Sequence, residues 1–96
     1  MPGYTHLQRA QPIRWSQWLL SHAWALARDH GRLQDARARL NECPLGAGAL
    51  AGHAFGLDRA RVAQQLGFAR PAPNSIDATA NRDFVLEFLA YATITG

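Results

Sequence analysis

Ninety-six residues, 48% of them apolar, allow at most one small domain with a modest core and exclude wholesale disorder. No apolar run approaches the roughly 18–20 residues of a membrane span, Met1-Pro2-Gly3-Tyr4 has neither the basic nor the apolar region of a secretory signal, and the single Cys43 can form no internal disulfide, so a cytoplasmic protein with no membrane partner is expected. The net charge of +3 comes from ten arginines and no lysine, spread along the chain among seven carboxylates, which fits solvated helix faces and ion pairs and excludes a clustered nucleic-acid surface.

The chain opens on Gly3-Tyr4-Thr5-His6-Leu7-Gln8-Arg9-Ala10-Gln11-Pro12. Pro12 suits the first turn of a helix, where its missing N–H would be unpaired anyway. From there to about Glu42, Trp15, Trp18, Leu19, His22, Ala25, Leu26, Leu33, Ala36 and Leu40 recur at three- and four-residue steps, interrupted by Asp29 and with Gly31 the one weak point. The opposite face carries Arg14, Gln17, Arg28, Arg32, Asp35 and Arg39. Roughly thirty residues predict a rod about 45 Å long, which the rest of the chain is too short to cover. Long helical partners, in the same protein or another subunit, are implied.

Pro44 is expected to end this helix, followed by the glycine-rich connection Leu45-Gly46-Ala47-Gly48-Ala49-Leu50-Ala51-Gly52. With no strand expected before it and no Lys-Ser/Thr after it, the bend does not read as a phosphate-binding P-loop. Its glycines serve positive φ and close backbone packing. Asp58 predicts the cap of a short helix through Leu66, terminated by Gly67. The prolines of 68–74 predict a loop, and Thr79 or Asn81 would cap a last helix with Phe84, Val85, Phe88, Leu89, Ala92 and Ile94 on its apolar stripe. That helix reaches Gly96 without a clear stop, so residues 1–96 read as one incomplete domain of a longer protein.

Among side chains able to do chemistry, His6 leads. Imidazole titrates nearest neutrality and can give or take a proton. Beside it Thr5 offers a hydroxyl, and Gln8 and Gln11 offer amides for orientation. His22 on the apolar stripe reads as a core or interface residue, His30 as exposed, and His53 as a residue that follows the bend with only a weak claim to approach a substrate. Ser75 and Asp77 read as loop or cap residues and Asp83 as a carboxylate near a helix start, since no G-x-S-x-G elbow accompanies them. Four dispersed histidines and one cysteine have no zinc-ligand spacing, and no metal site is expected.

The opening decapeptide closely resembles the histidine-bearing segment of the argininosuccinate lyases, members of the fumarase/aspartase superfamily. Arg14-Trp15-Ser16, the stretch from Leu45 to Gly52, Asn74-Ser75-Ile76-Asp77-Ala78-Thr79 and Arg82-Asp83-Phe84 follow in the family's order. The resemblance implies an all-α fragment of a long-helix bundle, with a glycine-rich connection and a short helix. It implies a β-elimination splitting argininosuccinate into arginine and fumarate, without cofactor or metal, in a homotetramer whose active sites draw segments from several subunits. Thr5 would contact substrate, and His6 would be one of two proton-transfer groups, the other being a serine on a mobile loop. The loop's Gly-Ser-Ser-x-Met-Pro-x-Lys-x-Asn signature is not among these residues, so the isolated piece is expected to be inactive. The alternative is a non-enzymatic helical assembly protein, as lens δ-crystallins show the scaffold can serve.

Overall fold

A computed structural model describes residues 1–96. Two strands, β1 (Pro2–Thr5) and β2 (Gln8–Pro12), come first, followed by the long helix α1 (Trp15–Leu40). A two-residue strand β3 (Glu42–Cys43), helix α2 (Arg59–Gln65), strand β4 (Arg70–Pro71) and helices α3 (Ser75–Ala80) and α4 (Asp83–Thr95) complete the chain. Helices dominate, as expected for a piece of a helical bundle.

The opening segment departs from expectation in its local form. It is an antiparallel hairpin, with Thr5 opposite Gln8, Tyr4 opposite Arg9 and Pro2 opposite Pro12, and an irregularity between Pro2 and Tyr4. Gly3 permits this irregularity, because a Cβ there would lie 2.6 Å from the Gln11 carbonyl oxygen. Pro12 therefore closes a strand, where a proline without an N–H is tolerated at the edge. The Ile13 N–H donates to the Met1 carbonyl at 2.9 Å and prolongs the pairing by one step. Helix α1 starts only at Trp15, after an extended Arg14 that gives no side-chain cap.

Helix α1 runs 26 residues, about 39 Å, straight through Gly31. Trp15 stacks on Trp18 at 4.9 Å, and the Trp18 ring meets His22 edge-on at 4.8 Å, so the aromatic stripe packs along its own helix. Asp29, buried although charged, accepts from Arg32 Nη1 at 2.5 Å. Arg37 and Arg39 complement the negative end of the helix dipole. The helix stops at Leu40, four residues before Pro44, because Asn41 turns out of it and its side chain accepts the Ala69 N–H at 3.1 Å.

That turn starts a short parallel pairing of β3 with β4, in which Glu42 faces Arg70 as an ion pair and Cys43 faces Pro71. The segment expected to be pure loop thus contains a strand, formed because Arg70 and the Ala72 N–H find partners on β3, the latter at the Cys43 carbonyl. Asp58 caps α2 through the Arg61 N–H at 3.0 Å, and Gly67 follows at φ +79°, both as the sequence predicts. Ser75 and Asp77 lie inside α3, capped by Asn74, whose Oδ1 accepts from the Ile76 and Asp77 amides. Asn81 ends α3 and takes the Asp83 N–H at 2.8 Å, so the last helical stretch is two helices around one asparagine.

Burial is slight. Five residues are buried, and the four apolar ones, Cys43, Ala47, Ala63 and Ala72, form one small knot where β3, β4, α2 and the glycine bend meet. Helix α4 lies on α1 and is tied to it by Arg39, whose Nη2 donates to Glu87 and, at 3.2 Å, to the Tyr91 hydroxyl. No helix is long and apolar enough to cross a membrane.

Candidate functional site

The hairpin sets the geometry of the residues expected to act. His6 and Leu7 are the two residues of its turn, and both have positive φ, +50° and +61°. Two consecutive positive φ values mark the type I′ turn that matches the twist of paired strands. Neither residue is a glycine, and a leucine in the left-handed region is rare and unfavourable. The tip therefore holds His6 in a defined but costly backbone state, of the kind that accumulates at functional positions.

Thr5 closes β1 and Gln8 opens β2, directly opposite each other and flanking His6. These three stand together at the tip, while Gln11 sits near the base, its carbonyl close to Gly3. All four are exposed, and Leu7 is 95% exposed. No other side chain of the chain reaches them with a hydrogen bond. Ser75, the remaining hydroxyl of interest, donates to the Leu50 carbonyl and ties α3 to the glycine bend. The hairpin presents the exposed His6 imidazole at a tip that precedes the start of α1.

Two concavities lie at the far end of α1. The larger, about 480 Å³, sits between the end of α1, α3 and α4. Its lining includes Arg39, Glu42, Asp77, Asp83 and Glu87, and two of those carboxylates are engaged in ion pairs with Arg39 and Arg70. The hydrogen bond from Arg39 holds the Glu87 carboxyl below its ordinary range, and the bond between the Tyr91 hydroxyl and Glu87 holds the phenol above its own. The smaller, about 380 Å³, lies in the glycine bend beside His53 and Arg59. Arg59 had no mark in the sequence beyond following a capping aspartate; the run of glycines before it is the signal that a backbone cleft would form there. The fold gathers no group of three or more His, Cys, Asp or Glu that could hold a metal ion.

A lyase family profile matches residues 1–95, and the chain belongs to that family. Argininosuccinate lyase from Pseudoalteromonas atlantica is 55% identical over 93 residues, which cover 97% of this chain and 20% of the relative. The chain thus spans about a fifth of the length of the curated relative it matches. Among solved structures, EDDS lyase in complex with formate superposes with a TM-score of 0.82 at 38% identity, covering 98% of this chain and 18% of that one. An EDDS lyase variant with bound fumarate gives a TM-score of 0.81 at the same identity and coverage. The likeness read from the decapeptide and the later motifs is borne out over nearly the whole length.

Proposed function

We propose that residues 1–96 are the central segment of an argininosuccinate lyase and that the hairpin tip is its contribution to the active site. The observation that carries this reading is 55% identity to an argininosuccinate lyase across a chain whose candidate acid–base residue stands, strained and exposed, at a hairpin tip. In the elimination, a proton leaves the carbon beside a substrate carboxylate, the C–N bond to the guanidinium group breaks, and a C=C bond forms. The departing nitrogen takes up a proton, giving arginine and fumarate. His6 serves one of the two proton transfers. Thr5, one residue away, donates its hydroxyl to a substrate carboxylate, where negative charge builds up in the transition state. Gln8 and Gln11 orient substrate from β2.

The second proton-transfer group and the remaining carboxylate contacts come from segments outside residues 1–96. An outward-facing tip with no side-chain partner of its own is what a site shared between subunits requires, and we assign the working protein to a cytoplasmic homotetramer in arginine biosynthesis. Bound fumarate in the EDDS lyase variant supports a small dicarboxylate as product.

The test is release of fumarate from argininosuccinate by the full-length protein, followed by ultraviolet absorbance. His6→Asn keeps a side chain that tolerates positive φ but removes the proton-transfer group, and kcat is expected to fall by about 10²–10⁴. An unchanged kcat in that variant would remove His6 from the chemistry. Absence of turnover in the unaltered protein would leave the structural, δ-crystallin-like role.

A further inference from the structure

We infer that the glycine bend binds an oxyanion, a carboxylate or a phosphate group, between the guanidinium of Arg59 and the imidazole of His53. The inference goes beyond lyase activity and does not depend on it: the bend lies past the far end of α1 from His6, about 39 Å along that helix.

The bend is built to leave space. Gly46, Gly48, Gly52 and Gly56 all have positive φ, and the chain between them folds back toward the start of α2. Gly46 lies at the point of convergence. A Cβ on it would sit 3.3 Å from Arg59 Cγ and 3.9 Å from His53 Nε2, so the absent side chain opens the cleft that both residues border. The cleft, about 380 Å³, has room for an oxyanion carried on a larger molecule, and none of its lining residues is a carboxylate.

Arg59 is the cation of the cleft. Arg32, Arg39 and Arg70 each lie on a carboxylate, whereas Arg59 is half-buried with none within ion-pair distance. Its Nη2 donates to the Ala72 carbonyl at 2.6 Å, and its Nε is sealed from solvent without a partner. A guanidinium stays charged, and withdrawing it from water with only one neutral acceptor is unfavourable. An anion beside the guanidinium offsets that charge directly. Arginine matches the planar two-oxygen edge of a carboxylate or phosphate.

His53 supplies the second donor. The Phe55 N–H points at His53 Nδ1 at 3.2 Å, so Nδ1 is an acceptor and the neutral ring carries its proton on Nε2, the nitrogen nearest Gly46. Of the other polar side chains of the cleft, Ser75 donates to Leu50 and the Asn74 oxygen caps α3, which leaves the Asn74 amide N–H groups as a further donor. One cation and the neutral N–H donors of His53 and Asn74 around an acid-free cleft select for negative charge.

The experiment is calorimetric titration of the full-length protein with inorganic phosphate and, separately, with succinate, at constant ionic strength. At least one titrant is expected to bind saturably, about tenfold or more weaker in Arg59→Gln, the loss of a charge-assisted hydrogen bond. His53→Ala, at an exposed position, is expected to weaken the same titrant several-fold with circular dichroism unchanged. The titrant that loses affinity identifies the anion as phosphate or carboxylate. Absence of saturable binding, or an affinity untouched by His53→Ala, would overturn the site even if Arg59→Gln fails to fold.

Discussion

Positive φ at His6 and Leu7 separates what the hairpin tip needs from its backbone and from its side chains. A left-handed L-residue is unfavourable by about 1–2 kcal/mol, less so for asparagine and more so for a β-branched residue. His6→Asn and His6→Val should therefore lose activity alike, while only His6→Val should also lower the thermal midpoint. A midpoint equal in both variants would mean that the turn does not constrain residue 6. The glycines of the bend allow a sharper comparison. Gly67 at φ +79° has nothing within 4 Å of an added Cβ, so Gly67→Ala should cost only the conformational penalty of about 1 kcal/mol. At Gly48, φ +67°, the same Cβ would lie 2.6 Å from the Gly52 carbonyl oxygen. Gly48→Ala therefore adds a backbone clash to the strain and should be the more destabilising of the two, by about 1–3 kcal/mol. Thermal unfolding of the two variants side by side checks the order.

Local chemistry decides which elements could be read in advance. Helix α2 was legible because Asp58 and Gly67 bracket it with the residues that caps demand. The long stripe of α1 was legible because its period extends over many turns. The hairpin was not: its turn is His6-Leu7, without the glycine or asparagine that announces a type I′ turn, and Pro12 mimics a helix start. The residues of the candidate site were legible, but as a resemblance; their exposure at a strained tip was not. The start of α4 was blurred because Asn81 both ends α3 and binds the Asp83 amide. The contact between α1 and α4 rests on pairing invisible at a separation of 48 residues, Arg39 with Glu87. Its pH dependence has a definite sign. Because Glu87 titrates below its ordinary 4.5, the folded state binds its proton less readily than the unfolded chain. The stabilisation is complete above the unfolded value and is lost as pH falls through the depressed one. Stability of the full-length protein should thus decline in acid, and Glu87→Gln should flatten that part of the profile. A Glu87→Gln curve parallel to wild type down to strong acid would show that the pair does not couple α4 to α1.

At the scale of the whole molecule, shape and surface lead to the same conclusion. A compact chain of 96 residues has a radius of gyration of about 12 Å, whereas this one measures 22.2 Å and extends 72 × 23 × 13 Å. With five residues buried, the apolar side chains that should fill a core face outward: Trp15, Trp18, Leu19 and Trp24 on α1, Phe88 and Leu89 on α4. Such continuous apolar faces are stable in water only when another surface covers them. The family match and the fraction of its relative that the chain spans fit helices that lie inside a larger bundle. Residues 1–96 expressed alone should consequently associate. Sedimentation should give a mass above 10.6 kDa, a dye that reports exposed apolar surface should bind strongly, and the thermal transition should be broad. Replacing Trp18 and Leu19 together by glutamine should reduce the association, because it removes adjacent apolar side chains without touching the knot around Cys43. A sharp cooperative transition at monomeric mass would contradict this picture, since it would require a self-sufficient core that four small buried side chains do not provide.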